Sequence, residues 1–168
     1  MANKMKAFLA YIGYKAFTGR VSEFSPPELK EKSAKFRAGE MLGETDVNLG
    51  VETPECEITF EDVPEEVLIK FGICNSTAVR LRVLASEESE SCDFNQREYV
   101  CVGRWTSVKP DKLKPGDSHK FTAKLLCNEY SELINGRELI YLDIIRGIHR
   151  ANGVDLTAKR RAALGLPY

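Results

Sequence analysis

The chain has 168 residues, 43% hydrophobic and 29% charged, with 24 basic against 25 acidic side chains and a formal net charge of −1. That length suits one domain able to bury roughly 70% of its unfolded surface. So even a balance does not supply the clustered Lys and Arg that drive sequence-independent nucleic-acid binding, and no apolar run approaches the ~20 residues a membrane-spanning helix needs.

The opening MANKMKAFLAYIGYKAF is broken early by Gly13 and Lys15 and reads as a strand, not a secretory signal. Residues 6–12 place Phe8, Ala10 and Ile12 on one face, and Val21 to Phe24 begin a second strand. Pro26-Pro27 then forbids a central-strand position. From Glu28 to Asp62 the pattern is strand, long polar loop, strand, and only the later strand alternates cleanly. There Cys56, Ile58 and Phe60 face one way, and Glu55, Glu57, Thr59 and Glu61 the other. The loop, 38–54, carries Gly39, Gly43 and Gly50 with Glu40, Met41, Leu42, Glu44, Asp46, Val47 and Leu49. Connections of that length inside a compact domain are uncommon and are usually functional or disordered.

Asp62-Val63-Pro64-Glu65 opens a helix of about ten residues, with Asp62 as cap, Val67, Leu68 and Phe71 as apolar face and Gly72 as stop. Val79, Leu81 and Val83 alternate with Arg80 and Arg82 in another strand, whose arginines read as a solvated or ion-paired face. An acidic, Ser-rich surface loop follows over 86–97. Arg97 to Val108 is apolar on both faces and predicts a strand covered on both sides. Turns at Pro110-Asp111 and Pro115-Gly116-Asp117 lead to the longest strand, Phe121 to Ile134. Asn135-Gly136 predicts a type I′ hairpin that sets Ile134 opposite Arg137, Leu133 opposite Glu138, Glu132 opposite Leu139, Ser131 opposite Ile140 and Tyr130 opposite Tyr141. The returning strand, 138–145, is apolar on both faces and expected to be central. At the end, Asp155 caps a short helix that Gly165 stops, and Lys159, Arg160 and Arg161 read as its solvated face.

Five cysteines stand at Cys56, Cys74, Cys92, Cys101 and Cys127, with no C-x-x-C pair and only two histidines, which argues against a structural zinc site. Cys56, Cys101 and Cys127 sit in alternating strands as small apolar residues; Cys92 sits in the acidic loop. A β-rich thiol hydrolase is a competing class, but no nucleophile motif is present and nothing flanks the cysteines that would depress a thiol pKa. His149 has no evident partner in sequence. A monomeric ligand-binding β-barrel is a third class, separable from a ring-former by solution mass. No catalytic, cofactor or metal residues are assigned.

Three segments together carry a family resemblance. Gly13, Tyr14, Gly19 and Pro27 punctuate the N-terminal strands; Lys35-Phe36-Arg37-Ala38-Gly39-Glu40-Met41 and Val47-Asn48-Leu49-Gly50 precede the acidic strand. Asn135-Gly136-Arg137-Glu138, Asn152-Gly153-Val154-Asp155 and Leu164-Gly165-Leu166 shape the C-terminus. In this the chain resembles the major tail tube proteins of contractile-tailed bacteriophages and of the related R-type bacteriocins. It departs where Glu40 replaces a Gly of the pattern, and in the 86–97 loop and the cysteines.

The resemblance implies a mainly β fold with short helices: an antiparallel sandwich- or barrel-like tube subunit with an extended β-hairpin. Such subunits form stacked hexameric rings, each contributing strands to a shared inner β-barrel. Four strands from each of six subunits, spaced ~4.8 Å and tilted ~40°, close at roughly 48 Å. The implied function is a structural virion protein, the tail conduit for DNA ejection, assembled in the host cytoplasm; the alternative is the tube of a DNA-free contractile bacteriocin or injection system. Implied partners are further copies of the chain, the tail sheath, baseplate and tail-terminator proteins, the tape-measure protein during assembly, and phage DNA passing without specific binding. Glu55, Glu57, Thr59 and Glu61 would line the bore and repel phosphate, unless they face the sheath or pair with the lysines of 28–35. Glu40, Met41, Leu42, Glu44, Asp46, Val47 and Leu49 would reach the next ring or neighbour. Cys92 and Cys74 are candidates for disulfides between chains.

Overall fold

The computed structural model describes residues 3–72 and 79–167. Twelve strands and two short helices follow in order: β1 (Lys4–Ile12), β2 (Lys15–Ala16), β3 (Val21–Ser25), β4 (Glu31–Phe36), β5 (Thr45–Val51), β6 (Glu55–Phe60), α1 (Glu65–Ile69), β7 (Val79–Glu88), β8 (Phe94–Pro110), β9 (Phe121–Ile134), β10 (Arg137–Asp143), β11 (Ile148–Ala151), β12 (Val154–Asp155) and α2 (Ala158–Ala163). The fold is mainly β and antiparallel. Ten strands make one sheet in the order β12-β11-β10-β9-β8-β7-β1-β2, with β6 pairing β9 and β3 pairing β6 off that path.

The sheet branches at β9, because one edge of this 14-residue strand serves two partners. Residues 121–126 pair β6, residues 129–134 pair β10, and the other edge pairs β8 along its length. The β3–β6 branch folds over the sheet, so Phe24 of β3 meets Tyr99 of β8 with ring centroids 5.5 Å apart. Phe17 meets Phe60 edge-on at 5.5 Å. Between branch and sheet lies the core: Ala10, Ile12, Ile58, Phe60, Val67, Leu81, Val83, Trp105, Phe121, Leu125 and Tyr130 are all buried. Most come from one face of alternating strands, as period-2 patterning requires.

Several expectations are corrected. The 38–54 segment is not a loop: Thr45–Val51 is a strand paired with Glu31–Phe36 in a separate two-stranded sheet. The alternating acidic strand β6 therefore closes no hairpin with β4, and instead finds β3 and β9. The acidic 86–97 loop shrinks to a turn at Ser89–Asp93, because β7 runs to Glu88 and β8 restarts at Phe94. Helix α1 spans five residues with Pro64 as N-cap. Asp62 caps nothing; it receives Arg20 Nε at 2.8 Å, and of the expected apolar face only Val67 is buried.

Asn135 (φ 50°) and Gly136 (φ 79°) are both left-handed, as the type I′ turn requires. A bulge between Glu138 and Ile140 then shifts the register, so Ile140, Tyr141 and Leu142 face Glu132, Ser131 and Tyr130, one place beyond the expected partners. Strand β10 is an interior strand as expected, paired with β9 on one edge and the short β11 on the other. At the C-terminus, Asp155 accepts from the Thr157 amide at 2.9 Å, while Thr157 is the N-cap of α2. Arg161, expected in solvent, is buried: Nη1 donates to Thr157 Oγ1 at 2.7 Å and to the Gly147 carbonyl at 3.2 Å, and its guanidinium is paired with Asp155.

Candidate functional site

Two surfaces hold the residues singled out by the sequence. The first is the sheet face opposite the core, entered from β6. Pairing sets Glu55 opposite Leu126, Glu57 opposite Lys124 and Thr59 opposite Thr122 of β9, while β8 adds Arg104, Ser107 and Lys109 opposite Leu126, Lys124 and Thr122. Cross-strand partners share a face, so carboxylates and cations are interleaved here. Lys124 Nζ lies 3.8 Å from Glu55 and 3.7 Å from Glu57, and Lys120 Nζ lies 3.9 Å from Glu61. The partners of these glutamates are thus the lysines of β9 and its approach, not those of 28–35. Thr59 is buried, its hydroxyl 3.3 Å from that of Thr122.

Further along, the same face carries Arg82, with Nε 2.5 Å from Glu98 Oε1, and Tyr141, whose hydroxyl donates to Glu129 at 3.0 Å. Burial and then the Glu129 bond push the Tyr141 phenol up to about 12. At the sheet's far corner, on the core side beside Tyr99 and Tyr130, Arg97 donates to Glu87 at 2.8 Å and to Glu132 at 2.5 Å, tying β7, β8 and β9 together. The face entered from β6 is polar, charged in both signs and paired across its strands.

The second surface is the β4–β5 hairpin. Glu40, Leu42, Glu44, Asp46, Val47 and Leu49 are exposed and Met41 is half-buried. Leu42 is fully exposed, and Phe36, Val47 and Leu49 expose 55%, 44% and 57% of their surface. The hairpin joins the body at its base, where the Glu52 amide donates to the Lys30 carbonyl and where Asn48, Gly50 and Val51 border a cleft shared with Leu142 and His149. An isolated two-stranded sheet is marginal in water, and this one has both outer edges unpaired among the described residues.

Of the disulfide candidates, Cys92 is exposed in the Ser89–Asp93 turn with φ 62°, and Cys74 lies outside the described residues. Sequence reasoning missed a different grouping. Cys56, Cys101 and Cys127, from β6, β8 and β9, converge with all three sulfurs within 4.8 Å of one another. Strand register alone brings them together, and a linear reading has no access to it. The second Asn-Gly pair, Asn152 (φ 49°) and Gly153 (φ 80°), closes the β11–β12 hairpin; its signal was visible in the dipeptide.

Comparison with known proteins follows this geometry. The family model described as "Phage tail tube protein FII" matches residues 2–165. The tail tube protein of Escherichia phage P2 is 24% identical over 170 residues, covering 99% of each chain. Among solved structures, the cryo-EM structure of an extracellular contractile injection system, a PVC sheath-tube complex in the extended state, contains a chain similar at TM-score 0.58. It is 8% identical, over 75% of this chain and 87% of that one, so the likeness speaks to the fold. With a two-stranded arm set apart from a branched sheet, and with the family matched over nearly its whole length, the chain belongs to the phage tail tube protein FII family.

Proposed function

We propose that the chain forms stacked hexameric rings as the inner tube of a contractile tail, with sheath outside, baseplate at one end and DNA passing through the bore. The observation that carries this reading is the β4–β5 arm. It presents Phe36, Leu42, Val47 and Leu49 to solvent on a hairpin too small to be stable alone. In a stacked tube the arm lies against the next ring or the adjacent subunit, which buries those side chains and pairs its edges. The near full-length similarity to the phage P2 protein favours a DNA-carrying tail over a DNA-free injection device. In the assembled particle the polar face of β6, β8 and β9 lines the bore, and tail-terminator and tape-measure proteins meet the tube's ends and interior.

The test is negative-stain electron microscopy of concentrated protein, wild type against a Val47→Asp, Leu49→Asp double variant. Wild-type protein is expected to give hollow rings or tubes. The variant should keep its Tm within about 2 °C, because both positions are exposed in the monomer, and should form no tubes. Normal tubes from the variant would remove the arm from the assembly contact.

A further inference from the structure

The buried thiol cluster has no part in the tube surfaces. Cys56 and Cys127 approach to 3.9 Å between sulfurs, and Cys101 completes a triangle with no edge above 4.8 Å. The register explains the meeting. Cys56 faces Leu125 of β9, Cys127 stands two residues further along β9 opposite Gly103, and Cys101 stands two residues back along β8 opposite Tyr130. All three side chains point into the core, where each residue is at most 1% exposed.

Three sulfurs in a plane around an ion with bonds of about 2.3 Å stand about 4 Å apart. The triangle therefore already has nearly the size of a trigonal metal–thiolate site. Its chemistry narrows the ion. An all-sulfur donor set selects soft cations, and no His, Asp or Glu joins the cluster among the described residues. Structural zinc takes four protein ligands, and the cluster among the described residues supplies three, each fully buried. We infer that Cys56, Cys101 and Cys127 form a three-coordinate site for Cu(I). The ligand form is the thiolate, so binding releases protons: one Cu(I) enters, three thiol protons leave to solvent as the chain folds around the ion, and the trithiolate site carries a net charge of −2. The ion would join β6 to β8 and β9 at the branch point of the sheet and so hold the β3–β6 wing onto the body. Loading accompanies folding, before the wing closes.

The test uses the full chain carrying Cys74→Ser and Cys92→Ser, so that only the buried thiols remain. Reduced protein is refolded anaerobically with Cu(I) supplied as its acetonitrile complex and then challenged with bicinchoninate. Expected are one Cu(I) retained per chain, a near-ultraviolet thiolate-to-copper band, and a higher Tm than the copper-free protein. Cys101→Ala, which removes the sulfur and adds no bulk to the filled core, should keep the circular dichroism spectrum and lose at least 100-fold in affinity. If that variant fails to fold, Cys127→Ala takes its place. The assignment is overturned by an absent band, by affinity unchanged in the folded variant, by an equal rise in Tm with Zn(II), or by a Cys56–Cys127 disulfide in freshly isolated protein.

Discussion

Gly103 sits on β8 where the backbone of β9 leaves no room for a side chain. A Cβ there would lie 1.8 Å from the Leu126 carbonyl oxygen, and that oxygen belongs to a sheet strand that cannot step aside. Gly103→Ala is expected to cost on the order of 3 kcal/mol and to lower the yield of soluble protein. Gly43→Ala, with nothing within 4 Å of its Cβ, should leave the urea midpoint unchanged. Equal midpoints for the two variants would show that β8 and β9 can part without penalty. Asp155 is the second residue with a defined consequence. Its bond from Arg161, then those from Thr157, hold its carboxyl down at about 2, against the ordinary value near 4. Because the folded carboxyl titrates below the unfolded one, its contribution is complete above about pH 4 and is lost as pH falls toward 2. Asp155→Asn should therefore be less stable at pH 7 and show a shallower decline in Tm between pH 4 and pH 2. A decline as steep as the wild type's would assign the acid sensitivity to other carboxylates.

At the scale of elements, the Asn135 turn is more than a loop closure. Its side-chain oxygen accepts from the Gln96 amide at 2.9 Å and its side-chain nitrogen donates to Asn95 at 2.8 Å, so the β9–β10 turn also anchors the start of β8. Asn135→Ala removes both bonds and the residue type that tolerates φ 50°. A loss of about 2 kcal/mol is expected, seen as a fall in Tm of about 5 °C. A fall below about 1 °C would mean that the turn is held by Gly136 alone. This turn, the span of β9 and the alternation of β7 were all legible in sequence, because each is written in neighbouring residues. Pairings that depend on distant choices were not. The bulge at Leu139 moves the register by one place without a mark in composition, and β6 turns to β9, with partners from Phe60 opposite Phe121 to Glu55 opposite Leu126, instead of the adjacent arm. The arm itself looked like loop because Thr45–Val51 has no buried face to impose a pattern, and Arg161 looked like a surface cation because the fold, not the helix pattern, brings the Gly147 carbonyl, Asp155 of β12 and the Thr157 cap around it. The polar face of β6 was readable as alternation, but its lysine partners belong to the β9 pairing and were not.

For the whole molecule, charge on that face decides how the proposed tube treats its cargo. Glu55, Glu57 and Glu61 stand among Lys120, Lys124, Arg104 and Lys109, three carboxylates to four cations, so this patch is close to neutral. A bore built from it neither grips phosphate nor depends on strong repulsion; Lys120 and Lys124 already have carboxylates at their sides. Replacing Glu55, Glu57 and Glu61 by Lys removes every carboxylate of this set and leaves seven cations per subunit, the three new lysines with Lys120, Lys124, Arg104 and Lys109, multiplied around every ring. Phosphates passing such a wall would displace counterions and bind, with affinity falling steeply as salt rises. The three glutamates lie on the face turned from the core and their ion pairs are partly solvated, so ring and tube formation should survive the change. DNA ejection from particles built with the triple variant should be slowed severalfold at low salt and restored toward the wild-type rate at high salt. Real-time fluorescence of DNA release on receptor-triggered particles reads both effects. Ejection as fast as the wild type's at low salt, from tubes that assemble normally, would place this face away from the bore and turn it toward the sheath.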